Sequence, residues 1–225
     1  MNSQLSRTDG RRVTALWPLI SGVGSVALAV LLGVLIATRN SPVSLDQLVL
    51  NDFVNIRVPF LTTLALVMNF IGGGWFGVFV VPIGGALIFV FVRRRWAALY
   101  FVAASALSAG IVQVLKTTFG RARPEEILVT ADLGSFPSGH VANAATLAVV
   151  LIVLLRHRLV WIAGIVYTIL MMLSRTYLGA HWVSDTIGGA LVGVGVAVIL
   201  FAPFARKLSG EYPDSEAHRP AEIRQ

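Results

Sequence analysis

Long apolar runs, parted by short clusters of arginine, leave this chain little choice but a lipid bilayer. Six runs have the composition of membrane-crossing helices: 13–38, 75–92, 96–115, 141–155, 159–173 and 186–204. A crossing needs about 20 predominantly apolar residues, and the two shortest runs gain a turn from the neighbouring Phe136 and Ser174. Only 13% of the residues are charged, about half the share typical of soluble domains. The expectation is an all-α, polytopic membrane helical bundle of six transmembrane helices plus an interfacial helix. That last helix comes from 44–74, where the apolar piece Val58–Ile71 is short and runs into Gly72, Gly73 and Gly74. An interfacial or re-entrant helix fits this segment, with a seventh span as the alternative.

Charge sets the expected orientation. Arg11 and Arg12 precede a first run longer than the 7–15 residues of a signal-peptide core, so this run is expected to stay as a helix. With the N-terminus inside, the cytoplasmic segments hold Arg7, Arg11 and Arg12, then Arg93 to Arg95. They also hold Arg156 and Arg158, then Arg206 and Lys207. Short loops rich in Arg and Lys remain inside, and each of these clusters obeys that rule. His157 belongs to one of them. The expected division is a cytoplasmic N-terminus, 1–12, a membrane domain, 13–208, and a disordered cytoplasmic tail, 209–225, which contains His218.

The formal charge of +7 does not lead to nucleic acid, because the basic residues are dispersed between apolar runs rather than gathered on one face. The absence of cysteine excludes disulfides, thiolate catalysis and cysteine-based zinc sites. On the expected outer side lie Arg39, Arg57, Lys116, Arg121, Arg123 and Arg175. Four of these fall in two short stretches, a concentration that calls for a functional reason.

Three polar stretches interrupt the apolar background, all on that outer side. They are Lys116 to Pro124, Phe136 to His140, and Ser174 to Asp185. A cation at the centre of a membrane helix costs about 2.5–3.5 kcal/mol, so Lys116, Arg123 and Arg175 need the interface or an anion. A phosphate suits all three, with arginine supplying a planar fork and lysine a point charge. Ser138 stands where a helix cap is expected, and the amides after it form an anion site that Gly139 allows a ligand to approach. His181 and Asp185 are four apart, the spacing of one helical face. Asp185 can then accept a hydrogen bond from one ring nitrogen and leave the other free as a nucleophile. His140, in the anion-binding turn, is placed to protonate a departing oxygen. Taken singly, these residues also read as snorkelling cations, a helix cap, a core histidine and a helix-start acid. Their joint arrival on one face is what makes them a candidate site. Arg121 stands outside that set as an open candidate for a secondary contact. Gly188, Gly189, Gly193 and Gly195 read as close helix packing, and Tyr177 and Trp182 as membrane-interface anchors.

The three stretches resemble the signature of the type 2 phosphatidic acid phosphatase family, which is related to the vanadium haloperoxidases. That signature is Lys, six residues, Arg-Pro; then Pro-Ser-Gly-His; then Ser-Arg, five residues, His, three residues, Asp, and residues 116–185 carry it without substitution. The resemblance implies a membrane phosphatase domain over 13–208. Within it, His181 forms a phosphohistidine, Asp185 orients it, and His140 acts as general acid. Lys116, Arg123, Ser138, Gly139 and Arg175 hold the phosphate, with no metal and no other cofactor. The implied substrate is a lipid phosphate or diphosphate at the outer face of the cell membrane: a polyprenyl diphosphate, phosphatidic acid or phosphatidylglycerophosphate. A lipid phosphotransferase would share the chemistry up to the phosphohistidine. A non-catalytic carrier would use the cradle but have no need of the histidines.

Overall fold

The computed structural model describes residues 2–39 (side chains from Leu16 onward), 43–130 and 134–211. The tail expected to be disordered lies outside the described residues beyond 211, and His218 with it. Among the described residues eight α-helices follow one another: α1 (Asn2–Ala37), α2 (Ser44–Asn55), α3 (Pro59–Gly72), α4 (Val81–Phe91), α5 (Arg95–Phe119), α6 (Gly139–Leu155), α7 (Arg158–Tyr177) and α8 (Val183–Ser209). A π-helical turn, Phe76–Val80, leads into α4, and the described residues include no strand.

Each of the six apolar runs is helical, but length and composition alone give a smaller count of crossings. Residues Leu16–Ala37 of α1, together with α5, α7 and α8, are long and apolar enough individually. Helix α3 and the Phe76–Phe91 segment qualify only as a pair, bent by 44°. At 17 residues, α6 is the shorter apolar helix. The count is therefore four, or five with the bent pair, against the six expected.

Helix α8 packs against α1, α5 and α6, and α6 in turn packs against α7. Small residues permit this closeness. A methyl group on Gly189 would lie 2.4 Å from the Ser138 carbonyl oxygen, and one on Gly193 would lie 2.3 Å from that of Ala142. The α6 and α8 backbones thus nearly touch, the packing available to small residues where no hydrophobic effect draws helices together. Opposite, Gly195 meets Gly22 of α1.

One end of the bundle gathers the arginine clusters. Arg94 Nη1 donates to the Leu154 carbonyl at 3.1 Å, and the Glu211 carboxylate accepts from the Trp96 and Ala97 amides at the start of α5. His157 caps α7 at this end, its Nδ1 accepting from the Leu159 amide at 3.2 Å. The three polar stretches meet at the opposite end.

Helix α3 stays beside them. Its first residues are held by Tyr177, whose hydroxyl accepts from the Val58 amide at 3.0 Å. Midway, Ser174 Oγ donates to the Ala65 carbonyl at 3.0 Å, and at its end Gly72 abuts Met171. Fourteen residues of α3 thus descend fewer than two turns of α7, so α3 crosses the bundle end obliquely. The break comes at Gly74, whose φ of +57° suits glycine. Tyr177 and Trp182 are corrected here, because both are buried. Tyr177 anchors the start of α3, and Trp182 Nε1 donates to the Ala122 carbonyl at 2.9 Å.

Candidate active site

The last turn of α5 presents Lys116, and Gly120, at φ +51°, ends the helix and turns the chain into 121–130. At Gly134 the chain lies against Lys116. The Gly134 carbonyl accepts from Lys116 Nζ at 2.8 Å and from Arg123 Nη2 at 3.1 Å, so both cations are aimed by one backbone group. Arg175, 2% exposed, comes from the last turn of α7 and is held by the Asn69 side chain. His140 comes from the first turn of α6, with Nε2 3.1 Å from the Asn69 carbonyl. His181 lies in the short link between α7 and α8.

Six candidate residues line one cavity of about 370 Å³: Lys116, Arg123, Gly139, His140, Arg175 and His181. Both imidazoles therefore face the same space, with three cations around them. Ser138 and Asp185 are fully buried and do not line that cavity. Ser138 occupies the N-cap position of α6 without capping it: its amide donates to the Asp185 carbonyl at 2.9 Å, and its Oγ has no hydrogen-bond partner among the described residues.

The surroundings of His181 differ in detail from the helical-face expectation. His181 precedes α8, and Asp185 sits in that helix's first turn, where its Oδ2 accepts from the Trp182 amide at 2.9 Å. The nearest acceptor for His181 Nδ1 is the Ser135 carbonyl at 2.7 Å, with Asp185 Oδ2 at 3.6 Å. Capping its own helix fixes the carboxylate a little way behind the ring. On the other side, Arg123 Nη1 is 3.3 Å from His181 Nε2, and a guanidinium can only donate. Nδ1 therefore carries the proton, and the Nε2 lone pair faces the cavity. Burial pushes the imidazole down to about 4. The adjacent Asp185 opposes that shift, and Arg175 and Arg123 add to it. At neutral pH the ring is uncharged.

Arg121 is a correction. Its guanidinium turns from the cavity to Asp46 (Nη2 to Oδ2, 2.8 Å) and to Asp185 Oδ1, so it is no phosphate contact. Other participants escaped sequence reasoning. Asn69 contacts both His140 and Arg175, and Asn143 donates to the Gly72 and Gly77 carbonyls across the α3 break. Asn69 did carry a signal, being an amide in the otherwise apolar end of Val58–Ile71. Gly73 has a simpler task. A methyl group there would lie 2.0 Å from His140 Nε2. Gly73→Ala should push the imidazole aside and lower turnover by roughly 10²-fold, the cost of about 1 Å of misplacement. Gly110→Ala, which meets nothing within 4 Å, is the control. Equal activity in the two variants would mean that the position of His140 does not matter.

Comparison with known proteins follows the same residues. The model of the PAP2 superfamily matches 97–208. Phosphatidylglycerophosphatase B of Bacillus subtilis is 32% identical over 165 residues, covering 69% of this chain and 81% of that protein. An undecaprenyl-diphosphatase of Sulfolobus acidocaldarius is 31% identical over 121 residues, 51% of this chain and 58% of that protein. The crystal structure of a transmembrane PAP2 type phosphatidylglycerolphosphate phosphatase from Bacillus subtilis aligns with a TM-score of 0.70 at 28% identity. That alignment covers 83% of this chain and 96% of the other.

Proposed function

This chain belongs to the PAP2 superfamily, and from that premise we propose that it hydrolyses a lipid phosphate or diphosphate through a phosphohistidine on His181. The observation that carries the proposal is the cavity itself, where two imidazoles and three cations face one space of about 370 Å³. Lys116, Arg123 and Arg175 hold the phosphoryl oxygens and offset the charge that spreads over them in the transition state. His181 Nε2 attacks phosphorus, and the bond to the lipid oxygen breaks. His140, which takes up a proton once the phosphate anion offsets the surrounding cations, gives that proton to the leaving oxygen. Water, losing a proton to His140, then attacks the phosphohistidine and releases inorganic phosphate, restoring both rings. Asp185 faces the positive charge that His181 carries while phosphorylated. The Gly139 amide belongs to the same cradle, at the N-terminus of α6, while Ser138, expected beside it, lies behind the cavity wall.

The substrate lies in the bilayer, with its headgroup at the site end. α1, the π-turn with α4, α5, α6, α7 and α8 provide six crossings. The 17 residues of α6 are at the short end of the spanning range. Residues 13–208 form the phosphatase domain in the cell membrane. The arginine-rich end and both termini are cytoplasmic, and the site is extracytoplasmic. Polyprenyl diphosphate, phosphatidic acid and phosphatidylglycerophosphate are the substrates to compare. The relatives named for phosphatidylglycerophosphate and undecaprenyl diphosphate support two of them.

The test is phosphate release by purified protein in detergent across those lipids. At least one should be turned over, in EDTA as well as without it, and vanadate should inhibit by imitating five-coordinate phosphorus. Activity lost in EDTA and restored by Mg²⁺ would overturn the metal-independent mechanism. A phosphorylated acceptor lipid without free phosphate would make the protein a transferase.

A further inference from the structure

Helix α2 carries a carboxylate that the proposed mechanism does not use. Asp46 is 1% exposed and caps a helix other than its own. Its Oδ1 accepts from the Ser184 amide at 2.9 Å, and its Oδ2 accepts from Ser184 Oγ at 2.6 Å. Both contacts lie in the first turn of α8, where the helix dipole favours a negative charge. Arg121 bridges from there to the site. Nη2 meets Asp46 Oδ2 at 2.8 Å, while Nη1 donates to Ser184 Oγ at 2.7 Å and to Asp185 Oδ1. The guanidinium also lies 5.5 Å from the centre of the Trp182 ring, next to His181.

We propose that Asp46 is a positioning residue for the reaction: from α2 it holds Arg121 and the start of α8 so that Asp185 keeps its place and its charge behind His181. This rests on the reading of His181 as nucleophile. Charge arithmetic gives the physical reason. Arg121 alone would neutralise Asp185, leaving no net negative charge behind an imidazole that becomes cationic on phosphorylation. With Asp46 as the second partner, the buried trio keeps one net negative charge on that side of the ring. Across the cavity, the charged and titratable groups facing His181 among the described residues are Arg123, Arg175, Lys116 and His140, cationic or titratable to a cation. Among the described residues the trio therefore holds the opposing charge. It also gives 44–55 a purpose that hydropathy could not suggest.

The test follows the His181 ring by NMR in detergent, using histidine-labelled protein and His181→Ala for assignment. Asp46→Asn keeps an oxygen for the Ser184 amide but removes the charge. It should move the His181 titration to lower pH and reduce kcat about 10-fold, the scale of losing an outer partner that supports a functional histidine's surroundings, with KM unchanged. Arg121→Gln frees Asp185 from its counter-charge and should move the same titration to higher pH. General loosening of the fold would not produce shifts of opposite sign. An unmoved titration in either variant, or shifts in one direction in both, would overturn the inference. Should Asp46→Asn not insert, Asp46→Ser takes its place, with the same shift to lower pH expected and an unmoved titration overturning the inference. A wild-type protein inactive on every lipid phosphate would sink the phosphatase reading instead, and the titration would still report on Asp46.

Discussion

Replacing His181 with alanine should lower lipid phosphate hydrolysis by at least about 10⁴-fold, in keeping with the cost of removing a nucleophile elsewhere. The protein should still insert and purify as a folded bundle. The ring is 2% exposed but lies in a link between helices, outside the α6–α8 contact that closes the bundle. Its loss leaves the Ser135 carbonyl without its partner, a cost of about 1–3 kcal/mol that should lower thermal stability without preventing assembly. Substrate labelled with ³²P at the reacting phosphate should label the wild-type protein on rapid acid-free quenching and leave His181→Ala unlabelled. Normal turnover in that variant would remove the nucleophile. The pH profile offers an independent check. Since burial holds His181 down to about 4, its Nε2 lone pair stays available until the pH falls to that region. Corrected for titration of the substrate's own phosphate, the acid limb of kcat/KM should therefore lie well below the 6.5 of an ordinary histidine. A limb at 6.5 or above would show that burial and the neighbouring cations do not keep the ring neutral.

His140→Ala should cost on the order of 10²–10⁴ in kcat on a lipid phosphate, the usual contribution of a positioned general acid. The departing lipid alkoxide is a poor leaving group without a proton, so its departure depends on this ring. An aryl phosphate with an acidic phenol as leaving group departs without help, and for it the loss should shrink by at least about ten-fold. Equal losses on both substrates would make His140 a phosphate-binding residue rather than a proton donor. Comparison with Gly73→Ala separates position from chemistry. Moving the ring should impair both substrates less than removing it, because a displaced imidazole still carries its proton.

The part of this protein written most plainly in its sequence is local. Apolar runs of about 20 residues specify helices whatever surrounds them, because in lipid each backbone amide must bond within its own segment. Stretches such as Lys116 to Pro124 and Ser174 to Asp185 announced themselves by placing cations where the bilayer makes them costly. Gly189 and Gly193 were legible as packing residues, since a stripe of small residues on an apolar helix has few other uses.

What the sequence could not provide were contacts between segments far apart in the chain. Asn69 touches Arg175 and Asp46 touches Ser184, across 106 and 138 positions, and no period or local spacing encodes such a meeting. Arg121 shows the limit well. Two residues from Arg123 and chemically identical to it, it turns instead to two carboxylates, because α2 brings Asp46 within 2.8 Å. The Ser135 carbonyl behind His181 is likewise a backbone group, indistinguishable in sequence from any other. Residue chemistry and helical periodicity thus determined which elements form and which side chains are costly to bury. Only the tertiary structure decided which of those side chains face the cavity and which hold it in place, since that depends on the crossing of helices whose faces meet only after the chain has packed.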